Sequence, residues 1–160
     1  MFPWLLTNSN DFNITIEDLS DSYFCLVLQG PEAPRLLGQH LNTSVNSFQL
    51  ETLNDIIVSG TGYTGERGCE IIGPLNQIEI HWESLVDMGA IPIGLGARDT
   101  LRLEKGYLLS GQDFKGTETT LETNYAWVID WNHEFIGREA LVSQKQNNYS
   151  KLSGIFSLRR

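Results

Sequence analysis

Two glycine-spaced runs hold the residue types in this chain that could do chemistry. Gly62-Tyr63-Thr64-Gly65-Glu66-Arg67-Gly68-Cys69-Glu70 sets an aromatic ring near a carboxylate, and Gly94-Leu95-Gly96-Ala97-Arg98-Asp99-Thr100-Leu101-Arg102-Leu103-Glu104-Lys105-Gly106 adds guanidinium groups. Glycine lets a backbone turn with positive φ and approach a ligand where a Cβ would obstruct. A carboxylate accepts two parallel hydrogen bonds, and its usual partners are an arginine fork or a flat heterocycle with a ring N–H beside an amino group. Glu70 stands in the apolar, strand-like run Cys69-Glu70-Ile71-Ile72, where a charge must be paired; removing the partner of a buried charge costs about 3 to 5 kcal/mol. Two readings follow, a ligand-binding carboxylate or a structural Glu70–Arg98 ion pair.

The elements that must position these groups follow from hydrophobic period. Phe12 to Glu17 alternates like a half-exposed strand, and Tyr23 to Leu28 is a nearly continuous apolar strand ending at Gln29-Gly30-Pro31. Glu32 to Leu41 reads as a helix with Ala33, Leu36, Leu37 and Leu41 on one face. Strands at Asp55–Ser59 and Cys69–Ile72 flank the first glycine run. After Gly73-Pro74 a second helix carries a stripe of Ile78, Trp82, Leu85 and Val86, which assigns Trp82 to the core, and Gly89 ends it. A third helix runs from about Gly96 to Lys105 and stops at Gly106. On it Arg98 and Arg102 share a face; Asp99 offsets Arg102, which reads as a solvated basic edge, and Arg98 is left for Glu70 or an anionic ligand. Arg98 also lies near the helix start, where the macrodipole does not favour a cation.

Farther on, Tyr125 to Trp131 alternates like a strand, with Trp127 read as core, and Phe135 to Leu141 is a turn entering a helix. Gln144 to Ser150 reads as a linker, and Lys151 to Leu158 starts a new strand. The expected fold class is α+β, an antiparallel or mixed sheet with packed helices.

Composition bounds the function classes. The 160 residues fit one ordinary domain with a real core, and a hydrophobic fraction of 41% is that of a folded chain without a membrane-spanning run. Twenty acidic residues against eleven basic give a net charge of −9, which argues against nucleic acid or an anionic membrane as partner. Met1-Phe2-Pro3-Trp4-Leu5-Leu6 lacks the basic start of a secretory signal, so a cytoplasmic location is expected. Cys25 and Cys69 read as reduced core residues, and His40, His81 and His133 as surface or satisfied core positions; no metal site is expected.

Taken together, Gly62-Tyr63-Thr64-Gly65-Glu66 with Gly68 and Glu70, Gly94 to Glu104, Phe135 to Leu141, and Gln29-Gly30-Pro31 resemble the T-protein of the glycine cleavage system, the aminomethyltransferase family. The resemblance covers most of the chain. It implies part of a tetrahydrofolate-binding α+β fold over residues 1–143, a linker at 144–150, and from 151 to 160 the start of a small C-terminal β-barrel. It also implies a reaction: the aminomethyl group on the lipoyl arm of the H-protein passes to tetrahydrofolate, giving methylenetetrahydrofolate, ammonia and dihydrolipoyl H-protein. By the same resemblance Glu70 is similar to the family's pterin-binding glutamate, Tyr63 to its folate-contacting tyrosine and Arg98 to an arginine among its substrate contacts. Tetrahydrofolate is the implied co-substrate and lipoylated H-protein the implied partner.

The departures from the family shape the expectation. The family's aspartate nearest the chemistry precedes the part matched here, and Asp11 and Asp18 align with later, non-catalytic positions, so no catalytic residue is assigned. The connection from Gly30-Pro31 to Gly62 is several residues shorter than usual, and Ser110 stands where many members have Tyr. A fragment weak or inactive alone is expected, with a separately encoded N-terminal half as a possible partner. Rival readings are the folate-binding domain of a sarcosine or dimethylglycine dehydrogenase, which Arg102 to Tyr107 and Phe135 to Leu141 also resemble, and a non-catalytic folate-binding or docking remnant. The family's iron–sulfur assembly relatives lack support because their cysteine motif is absent.

Overall fold

A computed structural model describes residues 2–152. The chain divides into two compact units, residues 1–98 and 99–160. The first contains α1 (Phe2–Asn8), β1 (Tyr23–Gln29), α2 (Ala33–Leu41), β2 (Leu50–Leu53), β3 (Ile56–Ser59), β4 (Gly68–Pro74) and α3 (Ile78–Asp87). Helix α4 (Leu95–Lys105) straddles the division, and α5 (Arg138–Gln146) belongs to the second unit.

The sheet is four-stranded and antiparallel in the order β1-β4-β3-β2, in agreement with the α+β expectation. Successive strand residues point to opposite faces, and here one face is covered. Phe24, Leu28, Ile56, Val58, Cys69 and Ile71 meet Ala33, Leu36 and Leu37 of α2 and Leu85 of α3 in one buried cluster. Helix α2 has the expected apolar face, with a proline in its first turn and Asn42 in the left-handed conformation at its end (φ 51°). The register Cys25↔Ile72↔Ile57 and Val27↔Glu70↔Ser59 puts these six residues on the opposite face. Cys25 is accordingly exposed and only Cys69 is buried, which corrects the assignment of both cysteines to the core. β1 reads as uniformly apolar, and only its register shows which of its residues are covered.

Three other expectations are corrected. Phe12–Glu17 is not a strand: no ladder pairs with it, and Phe12 and Ile14 are exposed. Alternation without a neighbouring strand leaves the backbone groups unpaired and offers no reason to extend. Tyr125–Trp131 is not a strand either; it forms a short 3₁₀ turn at Ala126–Val128, and Trp127 is exposed, not core. On α3 the inward face is Ile78, His81 and Leu85, so Trp82 lies outside the core. His81 takes the place expected of Trp82 because it has a partner: His40 Nε2 and His81 Nδ1 are 2.7 Å apart, and Ser84 Oγ lies 3.0 Å from His40 Nδ1. His133 is exposed, so the three histidines are the surface and satisfied interior positions foreseen.

Strand β2 was not foreseen. It pairs with β3 through a tight connection in which Asn54 is left-handed (φ 55°). The third helix is present as α4 and ends at Gly106 (φ 81°), as its sequence indicates. Gly137 (φ 95°) turns the chain into α5, which extends to Gln146 and so occupies residues 144–146 of the stretch read as a linker. The strand expected at Lys151–Leu158 lies, apart from residues 151 and 152, outside the described residues.

Candidate functional site

The three residues singled out from the sequence, Tyr63, Glu70 and Arg98, all lie in the first unit. Glu70 sits in the middle of β4, on the face of the sheet that the helices do not cover. It is half-buried, flanked across the ladder by Val27 and Ser59. Its Oε2 accepts a hydrogen bond from the Thr61 hydroxyl, and Ser59 Oγ lies 2.7 Å from the same hydroxyl. Among the described residues no hydrogen bond reaches the other carboxylate oxygen. That leaves an acceptor on a sheet surface, beside apolar neighbours.

Glu70 and Arg98 form no ion pair among the described residues. Arg98 instead stacks on Tyr63, with its guanidinium carbon 4.6 Å from the ring centroid. This is a cation–π contact, worth about 0.5 to 1 kcal/mol at an exposed site. The structural reading of Glu70 thus loses its partner, and its carboxylate is held by the Thr61 hydroxyl.

The field of Glu70 is felt on both sides of the sheet. Burial and then the Glu70 charge push the Cys69 thiol up to about 11, and the same two causes raise that of Cys25. Both shifts disfavour the thiolate, the reactive form of the group.

The Arg102 assignment is reversed by the structure. Arg102 is fully buried, whereas Arg98 is exposed. Arg102 Nε donates to Asp99 at 2.8 Å, as the i, i+3 spacing indicates, and Nη1 donates to Asp113 and to the Tyr107 carbonyl at 3.1 Å. Asp113 also accepts from the Leu109 N–H at 2.8 Å, and that bond, followed by Arg102, holds its carboxyl below the usual range. Arg102 is the organiser of the chain that follows α4. No sequence signal beyond the spacing to Asp99 marks it as buried, because Asp113 arrives from a loop.

Three polar residues of the site were missed from the sequence: Gln29, Thr61 and Thr64. Thr64 is buried and donates to Gln29 Oε1 at 2.9 Å. The run Ser59-Gly60-Thr61-Gly62 carried the available signal, since hydroxyls alternating with glycines beside an apolar strand need partners. Among the described residues there is no group of three metal-ligating side chains, and no helix is long and apolar enough to cross a membrane.

Comparison with known proteins places the chain in a family. The GCVT N-terminal domain model matches residues 1–133. The aminomethyltransferase of Lysinibacillus sphaericus is 38% identical over 168 residues, covering 96% of this chain and 46% of that protein. That of Legionella pneumophila subsp. pneumophila is 39% identical over 158 residues, covering 92% and 44%. The crystal structure of the glycine cleavage system aminomethyltransferase T from Bartonella henselae superposes with a TM-score of 0.80 at 30% identity, over 91% of this chain and 42% of that one. The chain spans under half the length of the curated relatives it matches. It belongs to the aminomethyltransferase family, the glycine cleavage T-proteins.

Proposed function

We propose that this chain supplies one wall of a tetrahydrofolate site in a glycine cleavage aminomethyltransferase. The carrying observation is Glu70: a carboxylate on an otherwise uncovered sheet face, with Oε2 held by Thr61 and the second oxygen without a hydrogen bond among the described residues. The pterin of tetrahydrofolate presents an amino group beside a ring N–H, the donor pair that a carboxylate accepts side by side. Tyr63 offers a flat face with a polar tip, and Arg98, stacked on it, offers a cation to an anionic part of the substrate. Tetrahydrofolate, when bound, accepts the one-carbon unit; the residues of this chain bind and orient it.

The donor of that unit in this reading is the aminomethyl-lipoyl arm of the H-protein, with ammonia released. Cys25, Val27, Ile57 and Ile72 surround Glu70 with apolar surface on the uncovered face. Polypeptide corresponding to the rest of the relatives' length, in the same protein or separately encoded, is the proposed cover for that surface. The two free cysteines, one of them exposed, support a reducing, cytoplasmic setting.

Titration of the chain with tetrahydrofolate tests the reading. The expected result is saturable binding that weakens about tenfold to a hundredfold in Glu70→Gln, the loss due to a charge-assisted hydrogen-bond pair. Equal affinity in both proteins would refute it.

A further inference from the structure

One side chain ties down the first half of the glycine-spaced segment. Gln29, the last residue of β1, donates from Nε2 to the Thr61 carbonyl at 3.2 Å and to the Leu28 carbonyl at 3.1 Å, while Oε1 accepts from the Thr64 hydroxyl at 2.9 Å. Thr64 Oγ1 accepts in turn from the Glu66 N–H at 3.3 Å. The next residue, Gly30, donates its N–H to the Arg67 carbonyl at 2.7 Å. The entry, middle and exit of the segment are each anchored at the end of β1.

The glycines explain themselves in the same terms. Gly65 takes a positive φ of 75° and is needed for the turn, but Gly62 and Gly68 do not. Their requirement is room: a Cβ on Gly62 would overlap the Gln29 amide, and one on Gly68 would overlap the Leu28 carbonyl and Gln29 Nε2. Gly62 is kept bare so that the amide can lie against the backbone, whereas Gly68 must also clear the backbone of β1. A plain connection between neighbouring strands has no need of such a clamp.

The clamp reaches the carboxylate through Thr61. Its carbonyl is held by Gln29, and its hydroxyl donates to Glu70. Tyr63 is carried between the two threonines that Gln29 holds. We propose that Gln29 is a positioning residue of the ligand site: it fixes Thr61 and Thr64, and through them the Glu70 carboxylate and the placement of Tyr63, before a ligand arrives. The identity of that ligand rests on the folate reading; the clamp does not.

The test uses the full chain with Gln29→Met, which fills a similar volume but makes neither hydrogen bond, and Gln29→Glu, which keeps an acceptor for Thr64 and loses the donor to Thr61. Amide hydrogen exchange is read over residues 61–67, with the β1–β4 ladder as internal control, and tetrahydrofolate affinity is measured alongside. In Gln29→Met, exchange over the segment should rise about tenfold with the ladder unchanged, and affinity should fall about tenfold, the cost of lost preorganisation. Gln29→Glu should fall between Gln29→Met and the parent. Gly62→Ala, whose methyl would push the Gln29 amide off its partners, should loosen the segment in the parent and add little in Gln29→Ala, because the second change vacates the space the first needs.

A segment as protected in Gln29→Met as in the parent overturns the clamp whatever the ligand does, as does a Gly62→Ala cost that Gln29→Ala leaves unchanged. A parent chain that binds no tetrahydrofolate, with the segment loosened in Gln29→Met, overturns the folate reading and supports the clamp.

Discussion

The Arg98 guanidinium rests on the face of Tyr63, 4.6 Å from the ring centroid, and leaves Glu70 to the Thr61 hydroxyl. A carboxylate and an arginine of the same unit are thereby kept apart, each held by a neutral group. The contact is an exposed cation–π pair, so Arg98→Ala should cost less than about 1 kcal/mol of stability in a denaturant melt. A loss of several kcal/mol in Arg98→Ala would place Arg98 in a structural ion pair after all.

The two cysteines report on the charge of Glu70. Cys69, raised to about 11 by burial and then Glu70, and Cys25, raised by the same causes, are both thiols at neutral pH. Since the thiolate is the reactive form, alkylation should be slow and should label Cys25, the exposed one, ahead of Cys69. Removing the nearby negative charge in Glu70→Gln lowers both thiol pKa values, so Cys25 should alkylate faster at a fixed pH near 8, by a few fold. An unchanged rate would contradict an influence of Glu70 on the thiol.

The His40–His81 pair sets a pH dependence. Both imidazoles fall below the ordinary value of 6.5, chiefly by burial; His81 adds a like charge against His40, while Asp55 partly offsets the effect at His81. Because the folded pKa values are depressed, the unfolded chain binds more protons below 6.5. Stability is therefore full above about that pH and declines as pH falls through it, levelling only below the lowered values. Melts from about pH 7 to pH 5 should show the decline. In His81→Leu the slope should shrink, because one of the two buried bases is gone.

The two faces of the sheet should differ in mutational cost. Ile71 is completely buried between β1, β3 and the helices, so Ile71→Val should cost about 0.5 to 1.5 kcal/mol. Ile57, on the uncovered face, should lose less from the same change. Gly73 lies against Ile56 and Phe24, and Gly73→Ala should overpack the core at about 1 to 3 kcal/mol. Equal costs at Ile71 and Ile57 in urea unfolding would contradict the assignment of faces.

How far the sequence could be read depended on whether the deciding contact was local. Helix α2 was legible from its apolar period and α4 from the Gly106 that ends it, signals that lie within the segment itself. β4 and Glu70 were legible from an apolar run interrupted by one charge. By contrast, the exposure of Cys25 depends on strand register, and that of Trp82 on which α3 residue finds a partner on α2. Arg102 became a buried hub through Asp113, eleven residues away in a loop without periodicity. The same limit hid Gln29, whose partners Thr61 and Thr64 are separated from it in sequence by α2, β2 and β3. Of the proposed ligand wall, Glu70, Tyr63 and Arg98 were singled out from the sequence, whereas the Gln29 amide and the Thr61 and Thr64 hydroxyls around them were not.

The central claim is that the unclaimed oxygen of Glu70 receives a pterin. The most direct measurement is the carboxyl carbon chemical shift of Glu70, in protein labelled with carbon-13 at glutamate side chains, during titration with tetrahydrofolate. The account predicts a shift that saturates with the same dissociation constant as bulk binding and vanishes in Glu70→Gln. Saturable binding with the Glu70 carboxyl signal unmoved would contradict it.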